Sequence, residues 1–274
     1  MLHASISELT TLRWELAEEI DRLARHGFDR LSIWRTKLSD IGIEQARCLL
    51  QPSGFRVSSL QWAGGFTGGD GRSFTESVDD ALEAVEAAAE IGADVLVVHS
   101  GCRGGHTRGH ARRLLADAID VVAPEALARG VTLALKPTHP AAAAHCGFLT
   151  SLPEALGWVE RFDHPAVRLS LDLWHFGSDR SLFDHVERLV PLTAVVQVAD
   201  CRGEPSPEQE RLAPGQGTHP LGAIVAAMLE HGYAGDFEFE LMGEAVEALG
   251  YEGVLRQTRI TADAWARTVR VPAL

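Results

Sequence analysis

The chain is short of lysine. Only Lys37 and Lys136 occur among its 25 basic residues, and 38 acidic residues leave a formal net charge of -13. Nucleic-acid affinity comes largely from clustered Lys and Arg, so nucleic acid is not expected as a partner. Cysteine is scarce too: Cys48, Cys102, Cys146 and Cys201 lie far apart, with no C-x-x-C pair. That spacing suits neither a disulfide framework nor a zinc knuckle, and a reducing cytoplasm is the expected location. No apolar run approaches the about 20 residues that span a bilayer, and the N-terminus has no basic stretch followed by an apolar core. Neither a membrane partner nor secretion is expected. Hydrophobic residues nevertheless make up 46% of the 274, enough to fill the core of one large domain.

What is present is an alternation of two periodicities. In "SFTESVDDALEAVEAAAEIGA", Ser73 and Glu76 have capping-box spacing. Val78, Leu82, Val85 and Ala89 follow at helical intervals, and Gly92 ends the run. The β-branched "DVLVVHS" comes next and reads as a buried strand. Strand-like runs fall at 30–34, 56–62, 94–100, 131–136, 167–175, 193–200 and 236–242, with "LHASIS" as a first strand. Helical patterns fall at 13–26, 40–50, 75–91, 110–129, 152–161, 181–190 and 220–231. Near-continuous apolar strands suit a parallel sheet covered on both faces. A single (β/α)8 TIM barrel over residues 1–274 is the natural closure. A doubly wound open sheet is the alternative, but no G-x-G-x-x-G follows the first strand.

In such a barrel the residues that end strands point into the mouth. They are Trp34, Trp62, His99, Lys136, Asp172 with His175, Gln197 with Asp200, and Glu240. Core layers of a barrel favour Val, Ile and Leu, so this polar ring predicts a ligand pocket for a small molecule. The long loops 63–74 and 201–219 follow strands on the same face, and either could act as a lid. Arg211 lies in the second; with Arg103, His106, Arg108 and His110 after the fourth strand it could bind a phosphate or carboxylate, although solvated loops are the plainer reading.

The segments "HGFDRLSIW", "ARGVTLALKP", "LSLDLWH", "VVQVAD" and "GQGTHPLGAIVAAMLEHGYAGDFEFEL" together resemble the xylose isomerase-like barrels over nearly the whole chain. That family includes sugar phosphate isomerases and epimerases, hydroxypyruvate isomerases, inosose dehydratases and abasic-site endonucleases. The resemblance implies one divalent metal at the mouth, held by a Glu of the fifth strand, an Asp of the sixth, a His or Gln of the seventh and a Glu of the eighth. Asp172, Gln197 and Glu240 match these positions; Lys136 stands in place of the fifth-strand Glu, and Ser32 where a second-strand Glu is common. His99 and His175 resemble positions that contact substrate hydroxyls, and dimers or tetramers are common among relatives, so a homo-oligomer fits.

Lys136 reverses a charge beside the ion. Two unit charges about 4 Å apart interact by about 4 kcal/mol at an effective dielectric of 20, and a divalent ion doubles the repulsion. The expectation is therefore no metal, with the ammonium between Asp172 and Glu240. A divalent Mn, Mg or Zn at Asp172, Gln197 and Glu240 is the alternative, and a soft zinc site from Cys102, Cys146 and Cys201 with His99, His106, His139 and His145 is a remoter one. Three roles for Lys136 stay open: a fixed cation that stabilises an enolate, an amine acting as base or Schiff-base nucleophile, or a purely structural ion pair. The leading expectation is an isomerase, epimerase or dehydratase that removes a proton next to a carbonyl. Lys136, Glu240 and Asp172 would be catalytic, with His99, His175, Gln197, Arg211, Trp34 and Trp62 binding substrate. A Schiff-base lyase or aldolase, a non-catalytic ligand-binding barrel and an abasic-site endonuclease are the rivals.

Overall fold

Each buried apolar run becomes a strand of one sheet. The computed structural model describes residues 2–144 and 147–268. Strands β1 (His3–Ser7), β2 (Arg30–Trp34), β3 (Arg56–Gly64), β4 (Val95–His99), β5 (Thr132–Lys136), β6 (Val167–Asp172), β7 (Thr193–Val198) and β8 (Asp236–Phe239) pair in sequence order, all parallel. The sheet closes through β1 and β8, where His3 lies opposite Asp236 and Ile6 opposite Phe239. The result is a (β/α)8 barrel.

Around it lie α1 (Leu16–Arg25), α2 (Arg35–Ile41), α3 (Ile43–Ser53), α4 (Phe74–Ile91), α5 (Arg108–Ala128), α6 (Leu152–Phe162), α7 (Leu173–Phe176), α8 (Ser181–Leu189), α9 (Leu221–Glu230), α10 (Glu244–Leu249) and α11 (Tyr251–Thr268). The capping box before α4 forms: Ser73 Oγ accepts from the Glu76 N–H, and the Glu76 carboxylate accepts from the Ser73 N–H at 2.7 Å. Among the described residues no helix is long and apolar enough to cross a membrane.

Three differences from the sequence reading have local causes. The helix expected over 40–50 is two helices that meet at Gly42, whose φ of 84° an L side chain rarely adopts. The strand expected over 167–175 stops at Asp172, because that carboxylate accepts from the Trp174 N–H (2.9 Å) and starts the turn of α7. The lumen is not filled by aliphatic layers alone. Short polar side chains cross it between non-adjacent strands, from Ser5 to Ser58, from Ser58 to Glu238 (both 2.7 Å) and from Gln197 to Gln61 (3.1 Å). Hydrogen bonding makes such burial tolerable.

The barrel's carboxyl end is shaped by one close approach. Gly64, at φ 121°, lies so near β4 that a Cβ there would sit 2.0 Å from the His99 carbonyl oxygen. The ends of β3 and β4 meet backbone to backbone, with His99 beside them.

Candidate active site

The carboxyl ends of the strands open into a cavity of about 760 Å³. Its floor is an ion network from three strands and one loop. Lys136 ends β5 and Asp172 ends β6; their Nζ and Oδ2 atoms are 2.8 Å apart, and Lys136 Nζ is 4.0 Å from Glu240 Oε1. Glu240 is the first residue past β8. Arg211 reaches in from loop 201–219. Its Nη2 lies 3.0 and 2.9 Å from the two Asp172 oxygens, and its Nε is 2.9 Å from the Glu240 carbonyl oxygen and 3.3 Å from Oε1. All four side chains are buried, Asp172 completely.

Two cations therefore share two carboxylates, which balances the formal charge. Burial alone would raise the Asp172 carboxyl, but Arg211 and Lys136 overcome it and hold that group well below the usual carboxylate range. His175, on α7, is pushed down to about 3 by burial, with Lys136 and Arg211 adding to the shift and Asp172 opposing it. It is neutral at pH 7. Its Nδ1 accepts from the His139 N–H (3.2 Å), so the ring proton is on Nε2, 3.8 Å from Asp172 Oδ2.

Gln197 is fully buried on β7. Its amide NH2 donates to Glu240 Oε2 (2.9 Å) and to Gln61 Oε1, while Gln61 donates to Ser32 Oγ (3.0 Å). The second-strand Ser32 thus takes part as an acceptor. Gln61 was absent from the sequence reading, since an amide in mid-strand carries no local signal.

Of the other expected residues, His99 and Trp62 line the same cavity, with ring centroids 5.5 Å apart; Trp62 keeps 44% of its surface exposed. Trp34 does not join them: it lines a neighbouring cavity of about 660 Å³ that shares Trp62 with the mouth. Asp200 is spent on the loop: it accepts from the N–H groups of Cys201, Gly215 and His219 at 2.9 to 3.0 Å. Those bonds shape 201–219 and carry Arg211 over the mouth, which makes Arg211 an internal partner of the carboxylates rather than part of a solvated loop. Loop 63–74 also borders the cavity, with Asp70 and Arg72 paired at 2.7 Å. Arg108 faces away toward Glu154 of α6. Glu238, one pleat below Glu240, accepts from Ser58 and is raised to about 7 by burial.

The donor set does not fit a divalent ion. Both Asp172 oxygens already accept from Arg211, Glu240 faces Arg211 and the Gln197 NH2, and an ammonium stands between the two carboxylates. Mg²⁺ and Mn²⁺ need several free oxygen ligands. Among the described residues no three His, Cys, Asp or Glu gather as a metal site. Cys201 is buried beside Gln209 and Cys102 lines the mouth; His145 and Cys146, named with them as zinc candidates, lie outside the described residues.

Solved structures that match over nearly their full length include the protein SMc04130 from Sinorhizobium meliloti 1021 (27% identity, TM-score 0.84, covering 97% of this chain and 98% of that one). The IolI protein solved with a bound zinc atom matches at 19% identity and a TM-score of 0.81, covering 99% of this chain and 100% of that one. A 3-keto-D-glucoside 4-epimerase, YcjR, from E. coli matches at 18% identity and 0.76, covering 98% and 100%. No curated protein matches the sequence. Residues 20–260 match the profile of the xylose isomerase-like TIM barrel, and the chain belongs to that family.

Proposed function

We propose that the chain is a sugar isomerase or epimerase-type enzyme that moves a proton next to the carbonyl of a small polyhydroxylated substrate, with the Lys136 ammonium at the position a metal holds in relatives. The observation that carries this reading is the Lys136–Asp172–Arg211–Glu240 network on the floor of the 760 Å³ cavity. The epimerase names among the structural neighbours support the reaction class.

Glu240 is the base in this reading. It takes the proton from the carbon beside the carbonyl, negative charge develops on the carbonyl oxygen, and Lys136, already aimed as a donor by its pair with Asp172, stabilises that oxygen. Return of a proton by Glu240 to the neighbouring carbon, with the hydroxyl proton passing to the former carbonyl oxygen, gives an isomer; an epimer requires a second acid on the opposite face of the same carbon to supply the returning proton while Glu240 keeps the one it removed. Asp172 holds Lys136 and Arg211 in place, Gln197 fixes the Glu240 carboxylate, and His99, His175 and Trp62 face the substrate.

The test is hydrogen exchange into a panel of ketoses in D2O, followed by NMR on chelator-treated protein. Turnover should persist without added metal, and Glu240→Gln should slow exchange about 10²–10⁴-fold, the usual contribution of a general base. Exchange that needs added Mn²⁺, Mg²⁺ or Zn²⁺, or that survives Glu240→Gln, would count against the reading. Trapping of substrate on Lys136 by borohydride would replace it with Schiff-base chemistry.

A further inference from the structure

The other lysine sits in a second buried charge cluster, outside the mouth. Glu8 is the first residue past β1 and Glu19 lies on α1; they are 1% and 0% exposed. Lys37, on α2, places its Nζ 3.2 Å from Glu19 Oε2 and 4.0 Å from Glu8 Oε1. One ammonium cannot neutralise two carboxylates in so dry a place. The surplus is removed by a proton on the Glu8–Glu19 pair, which burial of both carboxyls favours.

The cluster is fastened to three elements. Glu8 Oε2 accepts from the Trp34 N–H at the end of β2 (2.7 Å), Lys37 donates to the Thr11 carbonyl (3.2 Å), and the Thr11 hydroxyl donates to Glu19. Arg13, Glu15 and Asp40 are the other charged groups around the adjoining cavity of about 550 Å³.

The segment that the cluster holds, residues 8–15, also reaches the mouth. Leu9 lines the mouth cavity. Thr10 Oγ1 donates to the Phe239 carbonyl (3.1 Å) and accepts from the Leu241 N–H (2.9 Å), the two neighbours of Glu240. One side of the segment therefore touches the buried cluster and the other touches the end of β8.

We propose that segment 8–15 is a proton-operated latch: the proton shared by Glu8 and Glu19 beside Lys37 keeps it closed on the mouth wall, and loss of that proton releases it. The direction follows from the environment. Burial raises Glu8 to about 8, with Glu19 adding to the rise and Lys37 opposing it; burial raises Glu19 as well. Once the segment opens, the carboxyls meet water and return toward 4.5. The closed form thus binds more protons. Its extra stability is fully present below about pH 4.5 and is lost as pH rises through about 8, so opening becomes about tenfold easier per pH unit between them for one proton and levels off above.

Hydrogen–deuterium exchange with mass spectrometry on the full chain, corrected for intrinsic exchange, tests this at pH 5, 6, 7, 8 and 9. Protection of peptides covering 8–20 should fall by about tenfold per unit from pH 5 to 8 and then level, while β4 and β5 hold theirs. In Glu8→Gln, which keeps a donor toward Glu19 and cannot ionise, the fall should vanish. Flat protection in the wild type, or an equal fall in Glu8→Gln, would overturn the latch. Should Glu8→Gln not fold, Glu19→Gln makes the same test. The readout is the segment itself, so it stands apart from the role given to Glu240.

Discussion

Replacing Lys136 by Met keeps a long, flexible side chain and removes one charge from the floor of the mouth. At 2.8 Å and an effective dielectric of 20 the attraction to Asp172 is about 6 kcal/mol, and that to Glu240 at 4.0 Å is about 4 kcal/mol. Desolvation of the ammonium offsets much of this. What the variant exposes is the cost of leaving two buried carboxylates with Arg211 alone, and removing one partner of a buried pair costs about 3–5 kcal/mol. Urea unfolding at pH 7 should show a loss of that size. Combining Lys136→Met with Asp172→Asn restores the charge balance, so the loss in the double variant should fall short of the sum of the two single losses by about 2 kcal/mol or more. A pH signature goes with it. The Asp172 carboxyl is depressed in the folded chain, so its contribution is present above the ordinary value of 3.8 and is lost as pH falls further. The gap between wild type and Lys136→Met should therefore narrow below about pH 4. A variant within 1 kcal/mol of wild type at pH 7, with no coupling to Asp172, would refute the ion network as described.

Four further outcomes are expected. His175, held down to about 3 in the folded chain, favours folding only while neutral. Stability should drop on acidification from about pH 6.5, by about 3 kcal/mol at pH 4, and His175→Asn should flatten that limb in urea titrations. Asp200→Ala leaves three backbone N–H groups without their acceptor; a loss of about 3 kcal/mol and faster proteolysis within 201–219 should follow. Gly64→Ala forces a Cβ against the His99 carbonyl at φ 121° and should lower the melting temperature while altering Trp62 fluorescence. Lys136→Glu adds a third carboxylate beside Asp172 and Glu240; calorimetry should record Mn²⁺ affinity at least about tenfold above that of the wild type.

Much of the barrel was legible because parallel strands buried on both faces leave continuous apolar runs. β2 was read to the residue, and the end of β5 at Lys136 was placed correctly. The site was legible only so far as it sits on strand ends. Lys136, Asp172, Gln197 and Glu240 meet because the closed sheet carries β5 to β8 around one mouth. Arg211 was noted as a loop residue, but its burial depends on pairing 39 residues from Asp172 and 29 from Glu240, and nothing local records that. Trp34 was grouped with the mouth on register alone; the turn into α2 sends it to the next cavity. Helices α7, α10 and α11 were missed, and so was α2 except for its last two residues. α11 is amphipathic, with Leu255 and Ala262 fully buried, but Gly253 and Thr258 interrupt its apolar stripe and charges are scattered along it. The Glu8–Glu19–Lys37 cluster was missed because three separate elements supply it.

The scarcity of lysine has a practical consequence. Both lysines are engaged with carboxylates, and their side chains are 16% and 5% exposed for Lys37 and Lys136. Reagents that couple to surface amines should find little lysine to label on the folded chain. A small aldehyde that enters the mouth meets Lys136 on its floor, and Lys37 lines the separate cavity beside Glu19, so covalent tagging of this protein through lysine would report on its two ion clusters rather than on its open surface.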